Sequence, residues 1–351
     1  MRRLTASSLL VLLLAACGGD APPTASQPPD DAQPAAASDA RPGDFTAASR
    51  TFDDWRVLCD NLGGCTAYGA SGVPGAWVVV RRDAGAGAAP VVSAGVPERD
   101  GGGEDARLTL DGRVVRTGED DLALARRLAQ GATLAVGQGD RAVDISLDGA
   151  AAALLWMDER QGRIGTSGAV MRPGDSPDAD VPGPGVPPRV PAAPAVSQAG
   201  LPTEGIELPA VLEAREDVQA CRADSWPAAE PLHTVNRLAE GRYLWGVECY
   251  RGAYNLGRAY WITGENGAAA RPMLFPFAEG EPGNQLTGGV YDPETREMES
   301  ASLGRGIGDC GTHARWRWTG EAFVLIHQAT MEVCAGMSPD DWPVLYRAAG
   351  Q

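Results

Sequence analysis

Over several short stretches of this chain apolar residues alternate with polar ones, the period of a strand with one buried face. Trp55, Val57 and Cys59 follow that rhythm, Asn61-Leu62-Gly63-Gly64 reads as a turn, and Cys65-Thr66-Ala67-Tyr68 resumes a strand. Ala76-Trp77-Val78-Val79-Val80 and Pro90-Val91-Val92 are further strand candidates. Arg107-Leu108-Thr109-Leu110 and Arg113-Val114-Val115-Arg116 flank Asp111-Gly112, which predicts a hairpin with a tight turn. Two helices are predicted next. Thr117 caps the first, with Asp120 three residues on; Leu124 and Leu128 share its face and Gly131 ends it. Residues 132–136 and 142–147 are strand-like, and the second helix runs over 149–161 through an alanine run to Trp156.

The second half opens with a predicted helix over 209–221, where Val211, Val218 and Cys221 lie near one stripe and Pro209 suits a first turn. Strands then dominate. Residues 242–250, 257–263 and 272–277 are apolar or alternating. Ala314-Arg315-Trp316-Arg317-Trp318 puts two tryptophans on one face and two arginines on the other, and 320–327 completes a hairpin. Ser338-Pro339-Asp340-Asp341 has the cap, proline and acidic first turn of a helix start, so a short terminal helix through Leu345 and Tyr346 is expected.

Two stretches lack this patterning. Residues 18–49 are rich in Ala, Pro, Asp, Ser and Gln and cannot bury enough surface to offset the entropy of ordering, so a flexible tether is expected. Residues 172–205 are rich in proline and small residues and predict a semi-extended linker, unable to pack, between two domains. The expected layout is a leader at 1–16, a tether at 17–50, a first domain at 51–171, the linker at 172–205 and a second domain at 206–351. The expected class is α+β: two disulfide-containing domains on mainly antiparallel sheets with a few short helices.

The first residues supply an address. Met1-Arg2-Arg3 is positive, Leu9 to Leu14 is an apolar run, and Leu14-Ala15-Ala16-Cys17 follows. That order is a secretory signal, and the run is far short of the ~20 residues that span a bilayer. The last four residues resemble the lipobox of bacterial lipoproteins, which implies lipid on the Cys17 sulfur and amino group. Several acyl chains anchor stably where one does not. Gly18 after the cysteine implies, by the same resemblance, the outer membrane, with the folded part facing the periplasm.

Composition narrows the partners. The net charge is −16 and all 30 basic residues are arginine. Such a chain repels phosphate backbones, which excludes nucleic acid as an expected partner. Beyond Cys17 there are six cysteines, Cys59, Cys65, Cys221, Cys249, Cys310 and Cys334. An even number in an oxidising compartment reads as disulfides. Fifteen pairings exist for six cysteines and the sequence alone does not choose among them; the expected set is Cys59–Cys65, Cys221–Cys249 and Cys310–Cys334, which keeps the crosslinks inside each half. No CxxC occurs and only three histidines are present, so no metal is expected. No cofactor is expected either.

Four segments then carry a likeness: Phe52-x-x-Trp55-x-Val57-x-Cys59-Asp60-Asn61 with Cys65; residues 154–166, including Asp158-Glu159-Arg160-Gln161-Gly162-Arg163; Gly252-Ala253-Tyr254-Asn255; and Gly304-Arg305-Gly306-Ile307-Gly308-Asp309-Cys310-Gly311. Together they resemble the bacterial envelope family named domain of unknown function 1176, over roughly residues 51–347. The first half is also, more loosely, similar to the invasion-associated locus B proteins. The resemblance implies a fold and an envelope location, and no activity.

Candidate chemistry is sparse. Residues 306–311 fit GxGxxG, but a strand pattern follows where a dinucleotide site needs a helix, so a tight glycine loop held by Cys310 is expected. Asp309 and His313 are the pair from which a hydrolase of envelope polymers would be built, though no Gly-x-Ser-x-Gly elbow accompanies them. Asp158, Glu159, Arg160 and Arg163 read as a surface ion-pair network or as an Arg163 contact to the second domain. The aromatics of the second half point to ligand recognition. Trp245, Tyr254, Trp261, Trp316 and Trp318, with Asp309, His313 and Arg315, are the candidate binding residues. The leading expectation is a non-catalytic lipoprotein, anchored to the membrane, that binds an envelope glycan, peptidoglycan or protein. The alternatives are the hydrolase and a structural spacer.

Overall fold

The first five strands form an antiparallel meander: β1 (Ala48–Phe52), β2 (Trp55–Cys59), β3 (Cys65–Ser71), β4 (Ala76–Arg82) and β5 (Val91–Gly95), hydrogen-bonded in that order. Trp55, Val57, Ala67, Val78 and Val80 are buried on one face. Leu58, Tyr68 and Val79 are buried on the other. An unbroken apolar run such as Trp77-Val78-Val79-Val80 is what a strand covered on both faces requires. Cys59 and Cys65 are opposite in the β2–β3 register and form a disulfide.

The expected Asp-Gly hairpin is present as β6 (Leu108–Leu110) and β7 (Arg113–Val115), with positive φ at both Asp111 and Gly112. Helix α1 (Asp121–Gln130) follows, then β8 (Leu134–Val136), β9 (Val143–Ile145) and helix α2 (Ala150–Arg160). The cap of α1 is Asp120, which accepts a hydrogen bond from Ala123 N at 3.0 Å, rather than Thr117. Leu124, Leu128, Leu154 and Met157 close the first core against β2–β5.

The expected helix over 209–221 is two short ones, α3 (Ala210–Glu213) and α4 (Glu216–Arg222), because Arg215 is extended (φ −71°, ψ 137°). The strands β10 (Thr234–Ala239), β11 (Arg242–Arg251), β12 (Leu256–Thr263), β13 (Arg271–Pro272) and β14 (Gln285–Thr287) make one sheet. A second holds β15 (Val290–Asp292), β16 (Glu297–Leu303), β17 (Gly311–Trp318), β18 (Phe323–Met331) and β19 (Val344–Arg347). Leu244, Tyr260 and Phe275 from the first meet Met298, Trp316, Trp318 and Phe323 from the second in a shared apolar layer. Helices α3 and α4 cover the opposite side of β11–β12 through Leu212, Val218, Val247 and Trp261. The Cys221–Cys249 disulfide ties α4 to β11, and Cys310–Cys334 joins the ends of the β17–β18 hairpin. The architecture is thus α+β, mostly antiparallel sheet with four short α-helices and three disulfides.

The structure is a computed structural model that describes residues 43–73, 75–97, 106–203, 206–223 and 230–350. The leader, Cys17 and the tether up to residue 42 lie outside the described residues. Among the described residues no helix is long and apolar enough to cross a membrane.

Four further expectations are corrected. Residues 48–50, assigned to the tether, already pair with β2, Ser49 opposite Leu58. The terminal helix through Leu345 and Tyr346 is instead the strand β19, preceded by a single helical turn at Pro339–Asp341. It pairs with β18, and Leu345 is buried with Leu58, Tyr68, Val79 and Met331. That layer joins the two halves. The proline-rich segment, expected to be unable to pack, lies against both halves. Gly183 O accepts from Gly43 N (2.9 Å), Pro188 O from Ala349 N (2.9 Å) and Val190 O from Arg317 Nη1 (3.0 Å), while Val181 and Val190 are buried. Proline removes N–H donors and holds the chain extended, so its carbonyls remain as acceptors for neighbours. Finally, Arg163 is on neither the surface nor a contact to the second half. It is buried, donating to Gln161 Oε1 (3.0 Å), Asp83 O (3.1 Å) and Gly85 O (2.7 Å), beside Asp158, which is also buried. Burial pushes the Arg163 guanidinium down to about 10 and raises the Asp158 carboxyl.

Candidate ligand cleft

The inward side chains of β16, β17 and β18 change character along the strands. Met298, Trp316 and Leu325 stand in register as one row. The next row is Ser300, Ala314 and Gln328, and the next Ser302, Thr312 and Thr330. Bulky rings fill the gap between the two sheets at one end. Serine, alanine and threonine leave it unfilled at the other, and a cleft of about 300 Å³ opens there. Its remaining walls are Gln285, Leu286 and Thr287 from β14, and Phe277 and Glu279 from the segment before it.

The hydrogen bonds around the cleft set what each wall can offer. Thr330 Oγ1 donates to Gly311 O (2.9 Å), so across the 3.1 Å contact with Thr312 the proton belongs to Thr312, whose oxygen is left as an acceptor. Ser300 Oγ donates to Thr287 O (2.7 Å), and Tyr250 OH meets Thr287 Oγ1 at 2.5 Å. Gln328 is 7% exposed; its Oε1 accepts from Ala278 N (2.9 Å). Its Nε2, the Ser302 hydroxyl and the Gln285 carboxamide have no hydrogen-bond partner among the described residues. The Glu279 carboxylate accepts from Ser49 N (2.9 Å) and Ser49 Oγ (2.6 Å), which fastens β1 to the mouth. Among the described residues no arginine or histidine lines the cleft.

Two of the segments that carry the family likeness meet one residue beyond Ser302. Asn255 Nδ2 donates to Leu303 O (2.8 Å), and Asn255 Oδ1 accepts from Leu303 N (3.1 Å). Tyr254 OH donates to Gly304 O (3.2 Å). The glycine loop is held by the Cys310–Cys334 disulfide and by Asp309, which accepts from Gly336 N (2.6 Å) and from Arg305 at both oxygens. The Arg305 contact holds the Asp309 carboxyl below its ordinary range. Asp309, Cys310 and Cys334 place potential metal donors within 4.8 Å of one another, but the two sulfurs are bonded to each other and are not thiolates.

The candidate residues read from the sequence do not assemble here. Trp261, Trp316 and Trp318 are 1%, 0% and 0% exposed and form core: alternation with Arg315 and Arg317 turns Trp316 and Trp318 inward, while Trp261 lies in a strand buried on both faces and packs under α3 and α4. Trp245 is half-buried and Tyr254 half-exposed at the glycine loop. Asp309 and His313 are not hydrogen-bonded to each other; His313 Nε2 meets Glu299 Oε1 at 2.8 Å. Arg315 and Arg317 both contact Glu297 on the outer face of the sheet. The cleft residues Ser300, Ser302, Thr312 and Gln328 were missed. The signal for them is polarity at inward positions: Met298-x-Ser300-x-Ser302 and Thr312-x-Ala314-x-Trp316 put hydroxyls where a filled core needs apolar bulk.

The chain is similar to the uncharacterized protein YpfG of Escherichia coli (strain K12), 30% identical over 334 residues that cover 85% of this chain and 92% of the relative. No solved structure matches. Nothing in these comparisons supports the looser likeness of the first half to invasion-associated locus B proteins. The profile of a protein family of unknown function, DUF1176, matches residues 49–349, both halves and the proline-rich segment between them, and the chain belongs to that family.

Proposed function

We propose that this protein is an outer-membrane lipoprotein, anchored through lipid on Cys17, whose folded part faces the periplasm and binds an envelope component without transforming it. The carrying observation is the cleft between the two C-terminal sheets. It presents hydroxyl and carboxamide groups that the fold leaves unpaired, next to a disulfide-held rim. Three disulfides suit an oxidising compartment, and Leu14-Ala15-Ala16-Cys17 supplies the attachment point. The net charge of −16 speaks against nucleic acid. The hydrolase reading needs Asp309 and His313 to act together, and their hydrogen bonds go to Arg305 and Gly336 on one side and Glu299 on the other. The spacer reading leaves the cleft without a purpose.

The test is photocrosslinking in intact cells. A photoreactive residue in place of Ser302 is expected to give a discrete adduct, and the same residue in place of the exposed Val186 is expected to give none. Adducts no stronger at 302 than at 186 overturn the binding reading.

A further inference from the structure

We infer that the occupant of this cleft is an uncharged sugar chain, one ring of which enters while its neighbours project from the mouth. The inference rests on the binding reading above and names its ligand class. Size comes first: about 300 Å³ is at the lower end of ligand pockets, which run to ~1,000 Å³. Charge is next. Phosphate or carboxylate ligands are held by arginine, lysine, or clustered backbone N–H groups, and no basic side chain among the described residues lines the cleft. A cation needs several oxygen ligands of concentrated charge; Glu279 is the one carboxylate in the lining, and Ser49 already engages it.

A peptide bound as an added strand would pair with an open strand edge. Strand β17, which floors the cleft, is hydrogen-bonded on both edges, to β16 and to β18; β14 in the wall pairs with β12 alone, but its Thr287 O already accepts from Ser300 Oγ, so the floor offers side chains rather than backbone. Those side chains match a polyol. A sugar hydroxyl both donates and accepts, as do the Ser302 hydroxyl and the Gln285 carboxamide. The Gln328 Nε2 group adds a donor from a side chain that is 7% exposed and fixed by its Oε1 bond to Ala278. Phe277 gives an apolar wall for the C–H face of a pyranose, and its ring is braced edge-to-face on Trp316 at 5.2 Å.

The experiment titrates the purified full-length protein in detergent with chitotetraose and with cellotetraose, both neutral, and with tetragalacturonate and tetra-alanine as controls. Saturable binding of at least one neutral tetrasaccharide is expected, and none of either control. Ser302→Ala and Gln328→Glu should each weaken that binding about fivefold to tenfold, the loss of one hydrogen bond. His313→Ala, on the outer face, should leave it unchanged. Thermal midpoints accompany each variant, and should Gln328→Glu unfold, Ser302→Ala alone decides. Failure of both neutral sugars, or binding indifferent to Ser302→Ala, overturns the sugar inference. If the photoreactive residue at 302 still captures an adduct in cells, the binding reading survives that failure; if it does not, both fall.

Discussion

Arg347 donates to Asp60 across 287 residues of sequence, Nε to Oδ2 at 2.7 Å. The other Asp60 oxygen accepts from Leu62 N (2.8 Å) and Gly64 N (2.9 Å), so one buried carboxylate shapes the turn between β2 and β3 and receives the last strand. Asn61 adds reciprocal bonds to the Arg347 backbone at 2.9 and 2.8 Å. The two halves are therefore joined by polar contacts beside the apolar layer of Leu58, Tyr68, Val79 and Leu345.

Removing that carboxylate should be felt in both halves. Asp60→Ala leaves two turn amides and a guanidinium unpaired and is expected to cost about 2–4 kcal/mol. Arg347→Ala should cost only about 1 kcal/mol, because its side chain is 40% exposed and water can replace it. Urea unfolding monitored by tryptophan fluorescence measures both. Equal losses would mean that the turn amides contribute nothing.

Acid should destabilise the fold through two histidines, the buried His233 and the half-buried His327. Burial, aided by Arg222 near His233 and by Arg315 near His327, lowers both to about 4 from an ordinary 6.5. Between those values the unfolded chain binds protons that the folded one refuses. Stability is thus complete above pH ~6.5 and falls as the pH drops toward 4, by on the order of 2–3 kcal/mol per histidine. Denaturation midpoints at pH 7 and pH 5 should differ, and His327→Gln should shrink the difference. An unchanged difference would remove His327 from this account.

The disulfides should differ in worth. Loop-closure entropy assigns about 2 kcal/mol to Cys59–Cys65 and about 3.5 kcal/mol to each of the other two, whose sequence separations are 28 and 24 against 6. Paired Cys→Ser variants, unfolded in denaturant, should follow that order.

At the rim, Gly311 has φ +135°, and a Cβ there would fall 1.8 Å from Ser302 O. Gly311→Ala should cost about 2–4 kcal/mol through strain and a broken β16–β17 start. It should also abolish whatever the cleft binds. A variant of wild-type stability would show that the strands can separate there without penalty.

Lipidation has its own readout. Cells fed radiolabelled palmitate should label the wild-type protein and not Cys17→Ala, and the variant should appear in the soluble periplasmic fraction. Equal labelling of both would remove Cys17 as the anchor.

Local signals were sufficient for much of the fold. The Asp111-Gly112 turn, the alternation of Trp55, Val57 and Cys59 and the helix ending at Arg160 depend on neighbours close in sequence, where backbone sterics dominate, whereas which of the fifteen cysteine pairings forms is decided by the fold. Tertiary packing decided what depends on distant partners. Leu345 lies in a strand because β18 offered an unpaired edge and Leu58, Tyr68 and Val79 an apolar face. Arg163 is buried because carbonyls of residues 83 and 85 converge on it. Alternation in β17 shows that Trp316 and Thr312 share a face; only the opposing sheet makes that face inward, full at one end and open at the other. A strand's period defines two sides, and what lies against each is a property of the whole chain.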